Sequence, residues 1–80
     1  MTNFSDVRIF LCTTPTNMCY SFDSLMGRAQ EIFDQDPTSG HLFLFMNRNR
    51  DRIKILFWDR DGFCIWYKRL EQGVNTGQKT

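Results

Sequence analysis

"FLFMNRNRDRIKILFWDRDGFCIWYKRL", residues 43 to 70, contains three short apolar runs separated by polar breaks, with cations gathered at the breaks. Leu42, Leu44 and Met46 alternate with Phe43 and Phe45. After "NRNRD", Ile53, Ile55 and Phe57 alternate with Lys54, Leu56 and Trp58, and after "DRDG", Phe63, Ile65 and Tyr67 alternate with Cys64, Trp66 and Lys68. Alternation with period two is the pattern of a strand. "DRDG" reads as a tight turn in which Gly62 takes the positive φ such turns commonly need. Connections this short join antiparallel neighbours, so the stretch is a three-strand meander.

Upstream, Asp6 to Cys12 alternates Val7, Ile9 and Leu11 against Arg8, Phe10 and Cys12, which is a further strand. Pro15 breaks it by removing an amide donor and pushing Thr14 toward extended geometry. Phe22, Leu25, Met26, Ala29, Ile32 and Phe33 recur at helical spacing and form one apolar stripe, with Ser21 as N-cap and Asp36-Pro37 as the stop. The fold class is therefore α+β: a strand, one amphipathic helix, then a three-strand antiparallel meander, in the order β-α-β-β-β. Residues 1–73 form a single domain, and residues 74–80 lack periodicity and read as a disordered polar tail.

Eighty residues bury only roughly 60–65% of their unfolded surface, so such a core is marginal unless something else covers apolar area. Both faces of the meander are apolar, and one helix stripe covers one of them. The uncovered set, either Phe43, Phe45, Leu56, Trp58, Cys64 and Trp66 or its opposite, exceeds what soluble monomers usually expose. The first strand and the tail, a second subunit, a partner, a missing segment or stacked bases are the candidate covers.

The net charge of +1 conceals an asymmetry. Residues 1–45 carry two arginines against five carboxylates, a sum of −3, whereas residues 46–69 carry seven cations against three carboxylates, a sum of +4. From Arg48 to Lys54 the run holds three arginines and one lysine beside aromatic strands. Arginine forks grip phosphates and rings stack on bases, although the same charges also protect strand edges from aggregation. Cys12, Cys19 and Cys64 include no C-x-x-C pair and read as reduced core thiols, which fits a cytoplasmic protein. No run approaches the about 20 apolar residues of a membrane span, and the N-terminus does not resemble a signal peptide.

The sequence does not support an enzyme. "DRDG" fails as a calcium loop because Gly62 comes too early and Leu70 stands where a bidentate glutamate belongs. Asp51 falls at the opposite end of its strand from Asp59 and Asp61, too far away to share an ion with them. His41, the single histidine, has no nucleophile beside it in a recognisable pattern and reads as a strand-start residue. No catalytic residue, metal or cofactor is read.

The runs "DPTSGHLFLF", "NR…DRIKIL" and "WDRDGFCIWYKRLE" together closely resemble the TnpB, or second-open-reading-frame, accessory proteins of the IS-sixty-six (IS66) family of bacterial insertion sequences. The resemblance covers about Val7 to Gly73. It implies a small cytoplasmic protein, encoded beside a DDE-type transposase, that supports transposition. Two departures stand out. The family's P-T-D-M-R-K-G is here Pro15-Thr16-Asn17-Met18-Cys19-Tyr20-Ser21, which removes two cations and one carboxylate. Family members also usually continue past "RLE", which points to a truncated chain, a short variant or a decaying copy.

The expectation is therefore a non-catalytic transposition accessory protein with Arg48, Arg50, Arg52 and Lys54, together with Lys68 and Arg69, on nucleic acid. Trp58, Trp66, Phe43 and Phe45 would stack bases or form an interface. Its partners would be the element's transposase, the DNA of the element ends and possible further copies of itself, with no membrane and no small-molecule substrate. The alternative is a protein-interaction subunit that docks on the transposase or self-associates without touching DNA.

Overall fold

The computed structural model describes residues 7–71. These form strand β1 (Ile9–Cys12), helix α1 (Phe22–Phe33), a short 3-10 turn (Pro37–Ser39), and strands β2 (Leu42–Met46), β3 (Arg52–Asp59) and β4 (Gly62–Arg69). One four-stranded sheet has the spatial order β1-β2-β3-β4. β2, β3 and β4 pair antiparallel, as short connections require, and β1 lies parallel to β2. A parallel neighbour needs a long crossover, and α1 supplies it. The first strand thus widens the sheet instead of folding over its open face. Asp6 and the tail at 74–80 lie outside the described residues.

Register assigns the side chains to faces. Phe10 pairs with Phe43, Phe43 with Leu56, and Leu56 with Ile65, so these share one side with Cys12, Phe45, Lys54, Trp58, Phe63 and Tyr67. α1 packs on this side. Leu25, Ala29, Phe43, Phe45 and Leu56 have no exposed surface, and Phe10 and Phe33 close around Phe43 with ring centroids 5.4 and 5.8 Å away. The opposite side carries Ile9 and Leu11 from β1, Leu42, Leu44 and Met46 from β2, Ile53, Ile55 and Phe57 from β3, and Cys64, Trp66 and Lys68 from β4. Among the described residues, no helix lies over it. Ile9 is 65% exposed, Leu11 51% and Trp66 49%.

This corrects the expected grouping of the open face. The β3–β4 turn contains only Arg60 and Asp61, so Trp58 pairs with Phe63, while Cys64 and Trp66 fall on the side away from Phe43, Phe45 and Leu56. The turn also places its positive φ on Arg60 (57°), where the Asp61 N–H donates to the Asp59 carbonyl, and not on Gly62.

The helix ends differ from expectation as well. Ser21 is the N-cap, but its hydroxyl makes no capping hydrogen bond; its carbonyl accepts from Leu25 N–H at 2.9 Å. The helix stops at Phe33 because Asp34 turns left-handed (φ 52°), a conformation that Asp tolerates better than most residues, and donates its N–H to Gln30. Asp36 instead opens the 3-10 turn. Its carboxylate accepts from the Thr38 N–H and hydroxyl, and these bonds hold its pKa below the ordinary 3.8. Gly40 closes the turn at φ 91°.

Candidate nucleic-acid interface

The basic run becomes a five-residue loop, Asn47 to Asp51, shaped chiefly by one side chain. Asn47 Oδ1 accepts from the N–H groups of Asp51 and Arg52 at 3.1 and 3.0 Å, and Asn47 Nδ2 donates to the Asp51 carboxylate at 2.6 Å. The Arg50 N–H donates to the Asn47 carbonyl, and Arg50 adopts φ 58°. Asparagine favours such turns because its amide imitates a backbone group. Arg48, Asn49 and Arg50 are left exposed at the tip.

The crossover between β1 and α1 lies alongside. The Thr16 N–H donates to the Met46 carbonyl at 2.8 Å, and Thr16 is 3% exposed, so the Pro15 segment is fastened to the end of β2. Asn17 Oδ1 accepts from the Cys19 N–H at 2.8 Å. Two open clefts flank this segment. One, of about 300 Å³, runs between Leu11–Pro15 and the Met46–Arg48 side of the loop, reaching Arg50. The other, of about 520 Å³, runs between Pro15–Cys19 and Asn47–Asn49, with Arg52 in its wall. Arg48 borders both clefts. Arg52 Nε is buried and lacks a hydrogen-bond partner among the described residues.

β4 adds the remaining cations. Arg52 pairs with Arg69 across the sheet and Ile53 with Lys68, while the Leu70 N–H donates to the Asp51 carbonyl at 2.6 Å. Arg48, Arg50, Arg52, Lys68 and Arg69 therefore share one end of the sheet with Asp51 and Glu71, a local charge of +3. At the other end, Asp34, Asp36, Asp59 and Asp61 stand against Arg8 and Arg60, a local charge of −2. The sheet is polarised along its strands.

Not every expected residue belongs to this site. Lys54 projects on the helix side, where its ammonium donates to the Tyr20 carbonyl at 2.8 Å and lies 5.1 Å from the Tyr67 ring centroid; it is tied into the fold. Arg69 is exposed but pairs with Glu71 at 2.6 Å. Phe43 and Phe45 have no exposed surface and present no ring to a base or partner. Trp58 lies six residues along β3 from Arg52, roughly 20 Å away by strand rise, and packs edge-on to Phe63. Trp66 alone of the four is both exposed and near the basic end, with the Lys68 ammonium 5.8 Å from its ring centroid.

Among the cysteines, Cys12 is buried, Cys64 half-buried and Cys19 exposed beside the larger cleft. His41 Nδ1 accepts from the Arg8 N–H at 3.0 Å, a structural bond at the far end. Sequence reasoning did not assign roles to Asn47 and Thr16. The first has a signal, an asparagine opening a turn, whereas the second depends on a contact 30 residues away.

The model of the family described as IS66 Orf2 like protein matches residues 7–78. An uncharacterized protein of Sinorhizobium fredii, y4hO, is 37% identical over 68 residues, which is 85% of this chain and 59% of that protein. A second uncharacterized protein of the same organism, y4jC, is 28% identical over 67 residues, 84% of this chain and 57% of that one. The chain thus spans less than two thirds of the length of these relatives. No solved structure matches.

Proposed function

The chain belongs to the IS66 Orf2-like protein family, and from that membership we propose that it is a non-catalytic accessory protein of insertion-sequence transposition that holds nucleic acid at the basic end of its sheet. The observation that carries this reading is the convergence of Arg48, Arg50 and Arg52 on two open clefts, with Arg48 on both, while Lys68 lies at the same end of the sheet on its opposite face. Guanidinium forks on a rigid loop suit phosphate oxygens, and their effect is read without reference to base sequence. On that opposite face the Trp66 ring lies 5.8 Å from the Lys68 ammonium and adds a surface on which a base can stack.

Titration of labelled element-end DNA at two salt concentrations tests this. Contact with about three phosphates weakens binding roughly 10- to 100-fold between 50 and 200 mM salt. Arg48→Glu with Arg50→Glu should abolish binding, while Arg60→Glu at the opposite end should leave it nearly unchanged. Absence of binding at low salt, or binding indifferent to the double substitution, would discard the reading.

A second reading, docking on the element's transposase without contact to DNA, is favoured by the open apolar face and by Trp66 half-exposed upon it. Co-purification with that transposase separates the two. Loss of the complex in Trp66→Ala with no DNA binding in the parent protein selects the second. A complex that survives Trp66→Ala while DNA binding falls selects the first.

A further inference from the structure

The side of the sheet opposite α1 is apolar at every strand position except Lys68 and the Asp59–Gly62 pair at the turn. Ile9, Leu11 and Trp66 are each about half exposed or more, and the residues between them are partly open. We propose that a second copy of this chain covers this face, the two sheets packing face to face with their strands running in opposite directions.

Three observations select this occupant. First, the open apolar positions reach from Ile9 and Leu11 on β1, 65% and 51% exposed, to Trp66 on β4, 49% exposed, so the patch spans the width of the four-stranded sheet, the breadth that a second sheet packed face to face covers. Second, the face is nearly free of charge across its centre, which is the composition of a homodimer interface more than of a transient one. A two-fold axis through Leu44, near the middle of the face, makes such a surface complementary to itself. Third, the charged strand residues of this face sit at its opposite ends, Lys68 paired with Ile53 at the basic end and Asp59 paired with Gly62 at the other. Opposed strands set the basic end of one copy over the acidic end of its partner, whereas aligned strands would bring like charges together. The pair also adds buried apolar area to a core that, among the described residues, is covered by one helix.

In this arrangement the two basic ends lie at opposite ends of the dimer, roughly 25 Å or more apart. One dimer then bridges two nucleic-acid segments. Bridging, unlike the pairing, rests on the nucleic-acid reading above, so the two are measured separately.

Sedimentation of the full chain without nucleic acid should give twice the chain mass at micromolar concentration. Trp66→Asp and Leu11→Asp, both at exposed positions, should retain the circular dichroism of the parent and weaken association roughly tenfold or more. A parent protein that stays monomeric at high micromolar concentration, or a dimer indifferent to both substitutions, would overturn the pairing.

Orientation is read in a chain carrying Cys19→Ser and Cys64→Ser. Mixed Leu42→Cys and Met46→Cys proteins should join to each other under oxidation, because opposed β2 strands set position 42 over position 46. Faster joining of like with like would overturn the orientation. Finally, Ile9→Asp, on the same face but away from the basic loop and lining neither cleft, should stop one protein from linking two labelled duplexes while leaving single-duplex binding by the basic loop in place. If the dimer forms and no duplex binds at all, the nucleic-acid reading fails and the pairing stands.

Discussion

The two faces of the sheet are built from similar residues and meet different fates. On the helix side, Phe43 touches Phe10 and Phe33 and is sealed; on the other, Phe57 stands between Ile55 and Cys64 with no helix over it among the described residues. Hydrophobicity alone does not separate them, because both faces are mainly apolar, interrupted by Arg52, Lys54 and Arg69 on one and by Asp59 and Lys68 on the other. The difference lies in what the chain can reach. A helix of 12 residues, delivered by the crossover from β1, covers a band across one side of four strands and leaves the reverse side to something else.

The largest expected effect tests that contrast directly. Phe43→Ala should destabilise the fold by about 3–5 kcal/mol, because a sealed ring loses both its burial and its packing. Phe57→Ala, measured at a concentration where copies separate, should cost about 1–2 kcal/mol, since much of its burial comes from the sheet alone. Urea unfolding of both variants gives the ratio. Equal losses would mean that the open face is covered within a single chain, and the contrast would break.

Cations sharpen the same contrast at smaller magnitude. Lys54 lies on the helix side with its ammonium on the Tyr20 carbonyl, whereas Lys68 lies on the open side near Trp66. Lys54→Ala should lower stability by about 1 kcal/mol, a charged hydrogen bond discounted for its partial exposure. Lys68→Ala should stay within about 0.5 kcal/mol. If Lys54→Ala proved silent and instead reduced DNA binding as Arg48→Glu does, Lys54 would return to the interface.

Local physics explains how much of this was legible in the sequence. The strands of the meander were readable because alternation is a property of each strand by itself. The helix was readable because Leu25 and Ala29 recur at the spacing of one face. Which face each strand presents was not, since that depends on the parity of a turn. With only Arg60 and Asp61 between β3 and β4, Trp58 meets Phe63, and Trp66 is carried away from Phe43. β1 beside β2 was equally hidden, because the pairing of Phe10 with Phe43 spans 33 residues. At the candidate site, Arg48 and Arg50 were apparent from composition. The removal of Lys54 was not, because a cation within a basic run reads the same whether its ammonium faces solvent or a carbonyl.

The smallest effect expected is on the covered side and depends on pH. Asp36 holds the 3-10 turn whose Pro37 is buried and which packs against β3, so the cap supports the helix-side layer only. Hydrogen bonds from Thr38 lower its pKa below 3.8, which means that the folded state favours the carboxylate. The resulting stabilisation is complete above the ordinary carboxylate value and fades as pH falls through the lowered one, where the folded protein too takes up the proton. Asp36→Asn removes the titration while keeping an oxygen that can accept from the Thr38 N–H. The parent should therefore lose slightly more of its urea midpoint than Asp36→Asn between pH 5 and strongly acidic solution. Substitutions on the open face, such as Leu11→Asn, should leave that difference unaltered. If they abolished it, acid would be acting through the open side, and the two faces would be energetically coupled and not independent.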